Sequence, residues 1–242
     1  MKIKAFKTQI FKEKDNLIKF VTKSISKVKE GDIIVITSKI VALSEGRVVV
    51  IKNQKERETL IKKESQFAMR TNFSVHKEYV WITIKDGMVL ASAGIDESNA
   101  NGKIILLPKN SFNSAVKIRK VLQKYYKVKN LGVLISDSRI LPLRAGVVGV
   151  ALGYAGFKGV RNYIKTPDIF GRLLEFSRTD VADSLATSAV LLMGEGNECQ
   201  PLAIIQDAPV VFTDKLDKSE LCIDPKDDLY QPLFEKIKKI KY

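Results

Sequence analysis

Residues 91–102 read ASAGIDESNANG, a polar segment bounded by small residues and glycines. Before it, residues 79–90 (YVWITIKDGMVL) alternate around an Asp-Gly pair, a pattern that predicts a β-hairpin. After it, residues 104–107 are apolar. A polar loop between buried strands can aim side chains at a ligand, but its acids can also cap backbone N–H groups in an Asx turn. Both interpretations of the loop stay open.

Composition indicates an ordinary folded protein. The chain has 242 residues, of which 45% are hydrophobic and 28% charged, enough for one large domain or two small ones. No window approaches the roughly 18 apolar residues of a membrane span, and the N-terminus lacks the apolar core of a secretory signal. Cys199 and Cys222 form no metal or disulfide pattern. We therefore expect a cytoplasmic protein without a membrane partner.

The formal net charge is +14. This charge alone would suit nucleic acid, but the lysines are scattered and no RNP-like or zinc-finger spacing accompanies them. A solvated surface and attraction to polyanionic small molecules are the interpretations that we favour over nucleic-acid binding.

Hydrophobic periodicity predicts an α+β fold of mixed sheets with flanking helices, in two lobes formed by one continuous chain. We expect a main domain over residues 1–213 and a charged C-terminal appendage over residues 214–242. The predicted strands cover residues 3–11, 33–37, 48–51, 131–135, 147–155, 202–205 and 209–212. The predicted helices begin at a cap on Asp15, cover residues 53–70, begin at Ser111, and run from Asp180 to Gly194, whereas residues 38–47 (SKIVALSEGR) are interpreted as a polar turn.

Acidic side chains occur in three glycine-rich or strand-terminal segments. They are Asp96 with Glu97, Asp137 in LGVLISDS, and Glu195 with Glu198 in GEGNE. Mg²⁺ and Mn²⁺ bind carboxylate oxygens, with phosphates and water completing the shell. Three loops from distant parts of the chain could build such a site, although spacing does not show that they converge.

Several enzyme classes are disfavoured. The chain has no GxxxxGK[ST] loop, no GxGxxG after its first strand and no nucleophile elbow. The sole histidine, His76, has no Cys or Asp partner in sequence, and we interpret it as a surface residue. Ser-His-Asp chemistry and histidine-based zinc sites are therefore disfavoured. The class that remains is metal-dependent phosphate chemistry, in which positioning and electrostatic stabilisation provide most of the catalysis.

Six segments occur together in a specific order: GDIIVITSKIVALSEGRVV, AGIDESNANG, LGVLISDS, ALGYAGFKGV, DIFGRLL and VADSLATSAVLLMGEGNECQPLAII. In this combination they resemble one family, the coenzyme F420-0:L-glutamate ligases. The resemblance covers about residues 8–212. The family adds glutamate through its amine to a carboxylate and uses GTP. The resemblance thus implies an F420-0 gamma-glutamyl ligase-like fold, GTP or ATP as co-substrate, Mg²⁺ or Mn²⁺, and a homodimer.

The resemblance also implies roles for individual residues. The positions that match metal contacts are Asp96, Asp137 and Ser138, with Glu195 or Glu198 as a third carboxylate. Asn99 matches a position that binds the acceptor or its phosphate. The nucleotide would lie against Thr8, Gln9, Ile10, Ser38, Lys39 and the 194–201 loop, which includes Gly194 and Gly196. Lys39 and Arg144 are candidates for binding phosphate or carboxylate. Surface salt bridges are the alternative role for these two basic side chains. Arg144 is also, with Asp96 and Asp137, a candidate catalytic residue.

One motif departs from the family pattern. Where the family reads close to ISDTFGRPWRxGxTDVAIG, this chain reads ISDSRILPLRAGVVGVALG. Residues 140–141 replace Gly-Arg, Leu143 replaces Trp, residues 148–149 replace Thr-Asp, and Asp86 stands where a histidine is usual. Polar groups are lost while the metal acids are kept. This pattern resembles a variant branch labelled folate-metabolism gamma-glutamate ligase.

These features predict an amide ligase, dependent on a nucleotide and a divalent metal, that adds L-glutamate to a carboxylate acceptor through an acyl phosphate. The acceptor would be folate-like or F420-0-like, and we expect residues 139–148 to select it. The alternative is a catalytically inactive relative that binds a ligand or regulates another protein.

Overall fold

A five-stranded mixed sheet runs through the computed structural model, which describes residues 1–75 and 78–234. In chain order the elements are β1 (Lys2–Phe6), α1 (Leu17–Ser24), β2 (Asp32–Thr37), α2 (Ser38–Ser44), β3 (Val48–Val49), α3 (Gln54–Lys63), β4 (Phe67–Val75), β5 (Glu78–Lys85), β6 (Met88–Ala91), β7 (Ile104–Ile105), α4 (Ser111–Tyr126), β8 (Leu131–Ile140), β9 (Val147–Ala155), β10 (Val160–Asn162), β11 (Arg178–Asp180), α5 (Val181–Met193), β12 (Leu202–Gln206) and α6 (Gln231–Phe234). Short 3₁₀ turns cover Ser92–Gly94 and Pro225–Asp227.

The strand order in the large sheet is β1-β12-β2-β8-β9. Among the described strands, β2 and β8 alone pair in parallel; their pairing ends with Thr37 opposite Ser136, beyond which β8 continues to Ile140. Both strands are buried on both faces, which explains their continuous apolar sequences. Ile34 and Ile36 contact the cluster that includes α1 and α4, whereas Ile33 and Val35 contact the cluster of α5. Helices thus cover both faces and leave the strand ends open.

A three-stranded sheet, β4-β5-β6, forms a second layer. Its β5–β6 turn places Asp86 at φ 51° and Gly87 at φ 78°, the left-handed conformations that a two-residue hairpin requires. This hairpin confirms the prediction from Asp-Gly. Leu90 of β6 packs with Val150 and Leu152 of β9, which joins the two sheets beside residues 91–102.

Two element predictions were wrong. Residues 38–44 form α2 rather than a polar turn, because Ile40, Val41 and Ala42 are buried against the large sheet and its neighbours. The helix predicted over 53–70 ends at Lys63, and β4 begins at Phe67, where pairing with β5 overrides helix propensity.

Other predicted boundaries also shifted. Asn16, not Asp15, caps α1 by accepting from the N–H of Lys19, and Asp15 accepts from Lys12 instead. The first strand ends at Phe6, β3 is limited to two residues, and residues 209–212 contribute only a bridge between Phe157 and Phe212. These segments contain apolar side chains, but they form little or no strand because few of their residues have a cross-strand partner.

The α+β class with mixed sheets is confirmed, as are the helix from Ser111, the cap on Asp180 and the end of α5 at Gly194. The split at residue 213 stays a prediction. His76 lies outside the described residues, as do residues 235–242 of the predicted appendage. Among residues 1–75 and 78–234, no helix combines the length and apolarity needed to cross a membrane.

Candidate functional site

Polar side chains lie side by side where β2 ends and its parallel pairing with β8 stops. Ser38 and Lys39 begin α2 directly after β2, and Asp137 and Ser138 lie beyond Ser136 on β8. Residues about 100 positions apart in sequence meet here, where the parallel pairing of β2 with β8 stops. The prediction that this strand ends at Ile135 was wrong: β8 continues to Ile140 because it pairs with β9, so Asp137 and Ser138 lie within β8.

Asp96 is held in this edge by its own loop and by Lys39. Its backbone exchanges hydrogen bonds with Ile105 at 2.9 and 2.8 Å, and its Oδ1 accepts from the N–H of Ser98 at 2.7 Å. Its Oδ2 lies 2.7 Å from Nζ of Lys39. The Asx turn considered for this loop is therefore present, and the same carboxylate also meets a cation.

Asp137 lies close enough to Asp96 and Lys39 to interact with both charges. Burial raises the pKa of Asp137 to about 7, against the opposing effects of hydrogen bonds from the Ser138 N–H and the Ser38 side chain. The negative charge of Asp96 raises this pKa further, while Lys39 lowers it. Asp137 is thus a carboxylate whose ionised form needs a cation nearby.

Glu195 completes the group from the loop after α5. Burial raises its pKa, a hydrogen bond with the Ser138 side chain and the charge of Lys39 lower it, and the charge of Asp96 raises it. We name Asp96, Asp137 and Glu195 the acidic cluster. The three carboxylates come from three distant segments of the chain, and each interacts electrostatically with Lys39.

Glu198, the alternative to Glu195, is engaged within its own loop. Its Oε2 accepts from the N–H of Gly196 at 2.8 Å. Gly194 has φ 82°, a backbone conformation that other residues rarely adopt, so this turn favours glycine. The pattern MGEGNE therefore serves local folding as well as the acidic cluster.

The 194–201 loop contacts the segments around the residues that were predicted to bind the nucleotide and the acceptor. The Thr8 N–H donates to Cys199 O at 2.9 Å, the Thr37 N–H to Pro201 O at 3.0 Å, and Asn99 Nδ2 to Gly196 O at 3.2 Å. Thr8 Oγ1 donates to Gln9 O, and the following Ile10 is 79% exposed. The segments around residues 8, 38, 99 and 196 thus border one region.

Arg144 is placed differently. It lies in the exposed tip of the β8–β9 hairpin, and its side chain has no hydrogen-bond or ion-pair partner within the described chain. Leu143 beside it is fully exposed, with φ 56°. The structure does not bring Arg144 together with the acidic cluster, and its role as a clamp stays a prediction.

The donor set suits a hard divalent cation in kind, since it consists of carboxylate and hydroxyl oxygens and the charge of Asp96 raises the pKa values of Asp137 and Glu195. Across residues 1–75 and 78–234, however, no three His, Cys, Asp or Glu side chains are arranged closely enough to hold an ion directly. The Lys39 ammonium is in contact with Asp96. A bound ion would therefore require Lys39 and a carboxylate to shift.

Arg57 was missed by the sequence prediction. It is 9% exposed, and its Nε pairs with Oε1 of Glu97 at 2.9 Å. The contact ties α3 to the loop that carries Asp96. A buried arginine on a highly charged helix gives no signal in sequence, and its partner lies 40 residues away.

Comparison with known proteins gives a consistent result. Residues 5–207 match the family model described as F420-0:Gamma-glutamyl ligase. A coenzyme F420:L-glutamate ligase of Methanococcus maripaludis (strain C7) is 42% identical over 147 residues, 61% of this chain and 58% of the relative. That of Methanocaldococcus jannaschii is 42% identical over 138 residues, 57% of this chain and 55% of the relative. That of Archaeoglobus fulgidus is 37% identical over 129 residues, which are 53% of this chain and 51% of the relative. The matched part spans little more than half the length of these relatives.

Proposed function

The chain belongs to the F420-0:gamma-glutamyl ligase family, and on this premise we propose that it is an amide ligase that joins L-glutamate to a carboxylate acceptor. The reaction would depend on GTP or ATP and on Mg²⁺ or Mn²⁺. The acceptor would be folate-like or F420-0-like.

The observation that most supports this proposal is the meeting of the acidic cluster with Lys39 where the parallel pairing of β2 and β8 stops. Ligation by a nucleotide brings together phosphates, a carboxylate acceptor and glutamate, all of them anions. Anions repel one another, so their binding requires positive charge. A cation held by the acids and a lysine that binds phosphate would supply it.

The chemistry has two steps. An oxygen of the acceptor carboxylate attacks the terminal phosphorus of the nucleotide, the bond to the leaving diphosphate breaks, and an acyl phosphate forms. The amine nitrogen of glutamate then attacks the acyl carbon, the bond to phosphate breaks, and the amine loses a proton. Activation is required because a carboxylate anion resists attack by an amine.

Individual residues take the following parts in the proposal. Asp96, Asp137, Ser138 and Glu195 would hold the divalent ion, with Glu198 as the alternative acid. The ion would neutralise phosphate charge during transfer. Thr8, Gln9, Ile10, Ser38, Lys39, Gly194 and Gly196 would contact the nucleotide, and Asn99 the acceptor. Arg144 would contribute only if the β8–β9 hairpin moves toward the cluster.

We also propose a homodimer. Large apolar side chains are exposed near the β8–β9 and β10–β11 connections, namely Leu143 at 104%, Ile169 at 91%, Phe170 at 89% and Phe176 at 86%. Exposed apolar surface of this kind is typical of protein interfaces. Light scattering at micromolar concentration should give twice the chain mass of 27.1 kDa, and a monomer would contradict the proposal.

The ligase is tested by incubating the protein with nucleotide, Mn²⁺, glutamate and a panel of folates and F420 precursors. We expect phosphate release that requires both glutamate and an acceptor, together with a product heavier by one glutamyl residue in mass spectrometry. The altered segment 139–148 supports the alternative of an inactive relative. Nucleotide binding without any glutamate-dependent phosphate release would favour that alternative.

A further inference from the structure

The Lys39 ammonium is engaged by two residues of the Asp96 loop. Nζ donates to both O and Oγ of Ser98 at 3.0 Å and forms an ion pair with Oδ2 of Asp96 at 2.7 Å. An ammonium has three N–H donors and no acceptor. Two of these donors are used by Ser98 and the charge is paired with Asp96, so Lys39 must give up contacts with these residues to bind a phosphate closely.

The same ammonium is the cation that the acidic cluster shares. It contacts Asp96, and its charge also stabilises the ionised forms of Asp137 and Glu195. A divalent ion bound by these acids would compete with Lys39 for Oδ2 of Asp96, because two cations at one oxygen repel each other. Loss of Lys39 would not unfold the loop, since the Ser98 N–H still holds Oδ1 of Asp96.

We propose that Lys39 is an exchangeable counterion: it neutralises the acidic cluster until a divalent cation replaces it, and the released ammonium then binds the nucleotide phosphates. This inference rests on the proposed function for the presence of a metal and a nucleotide. The inference goes beyond the proposed function because it assigns to Lys39 the coupling between metal binding and nucleotide binding.

Coupling through Lys39 has a thermodynamic consequence. The metal must break the contact between Lys39 and Asp96, so the wild type binds metal alone less tightly than its acids would otherwise allow. The nucleotide receives the freed ammonium, so metal and nucleotide each strengthen binding of the other by the same factor. Without the lysine side chain, the metal meets no competitor and this part of the coupling disappears.

The test compares Mn²⁺ affinity in wild type, Lys39→Met and a matched control, Lys103→Met. Lys103 Nζ pairs with Glu13 at the same 2.7 Å but outside the acidic cluster. Free Mn²⁺ is measured by electron paramagnetic resonance, with and without a non-hydrolysable GTP analogue, on variants whose fold is checked by circular dichroism. Without nucleotide, Lys39→Met should bind Mn²⁺ about fivefold more tightly than wild type, as expected for loss of a partly exposed ion pair, whereas Lys103→Met should match wild type. The analogue should strengthen Mn²⁺ binding by wild type and much less by Lys39→Met.

A second readout follows the ammonium itself. In ¹⁵N-lysine spectra, the Lys39 ammonium signal should be protected in the free protein, lose protection when Mg²⁺ is added, and return at a new position with the analogue. Equal Mn²⁺ affinity in wild type and Lys39→Met, or a Lys39 signal that Mg²⁺ leaves unchanged, would overturn this inference while the ligase proposal stands. Failure of every variant to bind Mn²⁺ would remove the metal from the proposed function, and this inference with it.

Discussion

The N–H of Ser98 donates to Oδ1 of Asp96 at 2.7 Å, so the loop fixes one carboxylate oxygen and leaves the other directed at Lys39. An Asx turn usually serves the backbone alone. Here the same turn orients a carboxylate toward the site where the acids of three segments meet. Structural and functional interpretations of this loop are therefore compatible, and variants can separate them.

Asp96→Asn and Asp137→Asn remove charge and nearly preserve shape. Each should abolish metal-dependent nucleotide binding and lower turnover by about 100-fold or more, which corresponds to about 2.7 kcal/mol of transition-state stabilisation. Calorimetry with Mn²⁺ and nucleotide, together with phosphate release, measures both effects. Variants that turn over normally would refute the metal assignment.

The two variants should differ in stability without metal. Asp137→Asn should leave the thermal midpoint level or slightly higher, because burial disfavours the Asp137 charge. Asp96→Asn should lower the midpoint slightly, with a loss of no more than about 1 kcal/mol in the free energy of unfolding, since it removes a partly exposed ion pair with Lys39. Scanning calorimetry of the metal-free proteins distinguishes them.

Acceptor choice should respond to residues 140 and 141. Ile140→Gly with Leu141→Arg restores the family pattern at an exposed hairpin position, where Ile140 is 58% exposed. We expect a changed ranking of folate-like and F420-0-like acceptors in a competition assay, with nucleotide affinity within about twofold of wild type. A collapse of nucleotide affinity would instead assign this segment to the phosphate site.

Gly149 should not tolerate the Asp found there in the family pattern. A Cβ at Gly149 would lie 2.6 Å from Ala186 O and 2.8 Å from Val190 Cβ of α5. The backbone of α5 cannot move away without a loss of stability, so Gly149→Ala should lower the free energy of unfolding, measured with urea, by about 1–3 kcal/mol. Gly146→Ala on the same hairpin has open space but φ 90°, so it should cost only the smaller backbone strain. Equal losses would mean that α5 moves aside.

Glu64 should stabilise the protein in a pH-dependent manner. Burial raises its pKa, but ion pairs with Lys85 and Arg47, both at 2.7 Å, outweigh burial and hold the pKa below its usual 4.5. A depressed folded-state pKa contributes stability that is present above the unfolded pKa and is lost as pH falls through the folded value.

Glu64→Gln should therefore cost about 2–3 kcal/mol at neutral pH, because the buried Lys85 and the partly buried Arg47 lose their partner. The difference from wild type should shrink progressively below pH 4.5. Urea unfolding across this range is the measurement, with Glu58→Gln on α3, the helix that Glu64 caps, as control. A loss of stability that stays constant with pH would contradict an ionic contribution.

The C-terminal segment should contribute to folding at Glu220. Its Oε2 accepts from Tyr154 Oη at 2.9 Å and from the Gly159 N–H at 2.7 Å. Glu220→Ala should cost about 1–3 kcal/mol, since it leaves two part-buried donors without an acceptor. Glu175→Ala, at an exposed position, should have little effect. An unaffected Glu220→Ala would support an appendage that starts at residue 214 and folds separately.

Local signals in the sequence determined much of this protein. The Asp-Gly hairpin, the cap on Asp180 and the apolar runs of β2 and β8 follow from interactions within a few residues, and each was predicted. The motifs around Asp96 and Asp137 also indicated the family, because their residues and order are specific together.

Tertiary structure alone decided how those parts meet. Residues 38–44 carry turn-like polar residues, yet they form α2 because their apolar side chains are buried against distant elements. Lys39 finds Asp96 far along the chain, and Glu195 reaches Ser138 only because α5 packs against Gly149 and ends beside β8. Such contacts depend on the register of paired strands and on the close approach of a helix. No local pattern encodes these distances, since their free energy arises only when the whole sheet has assembled.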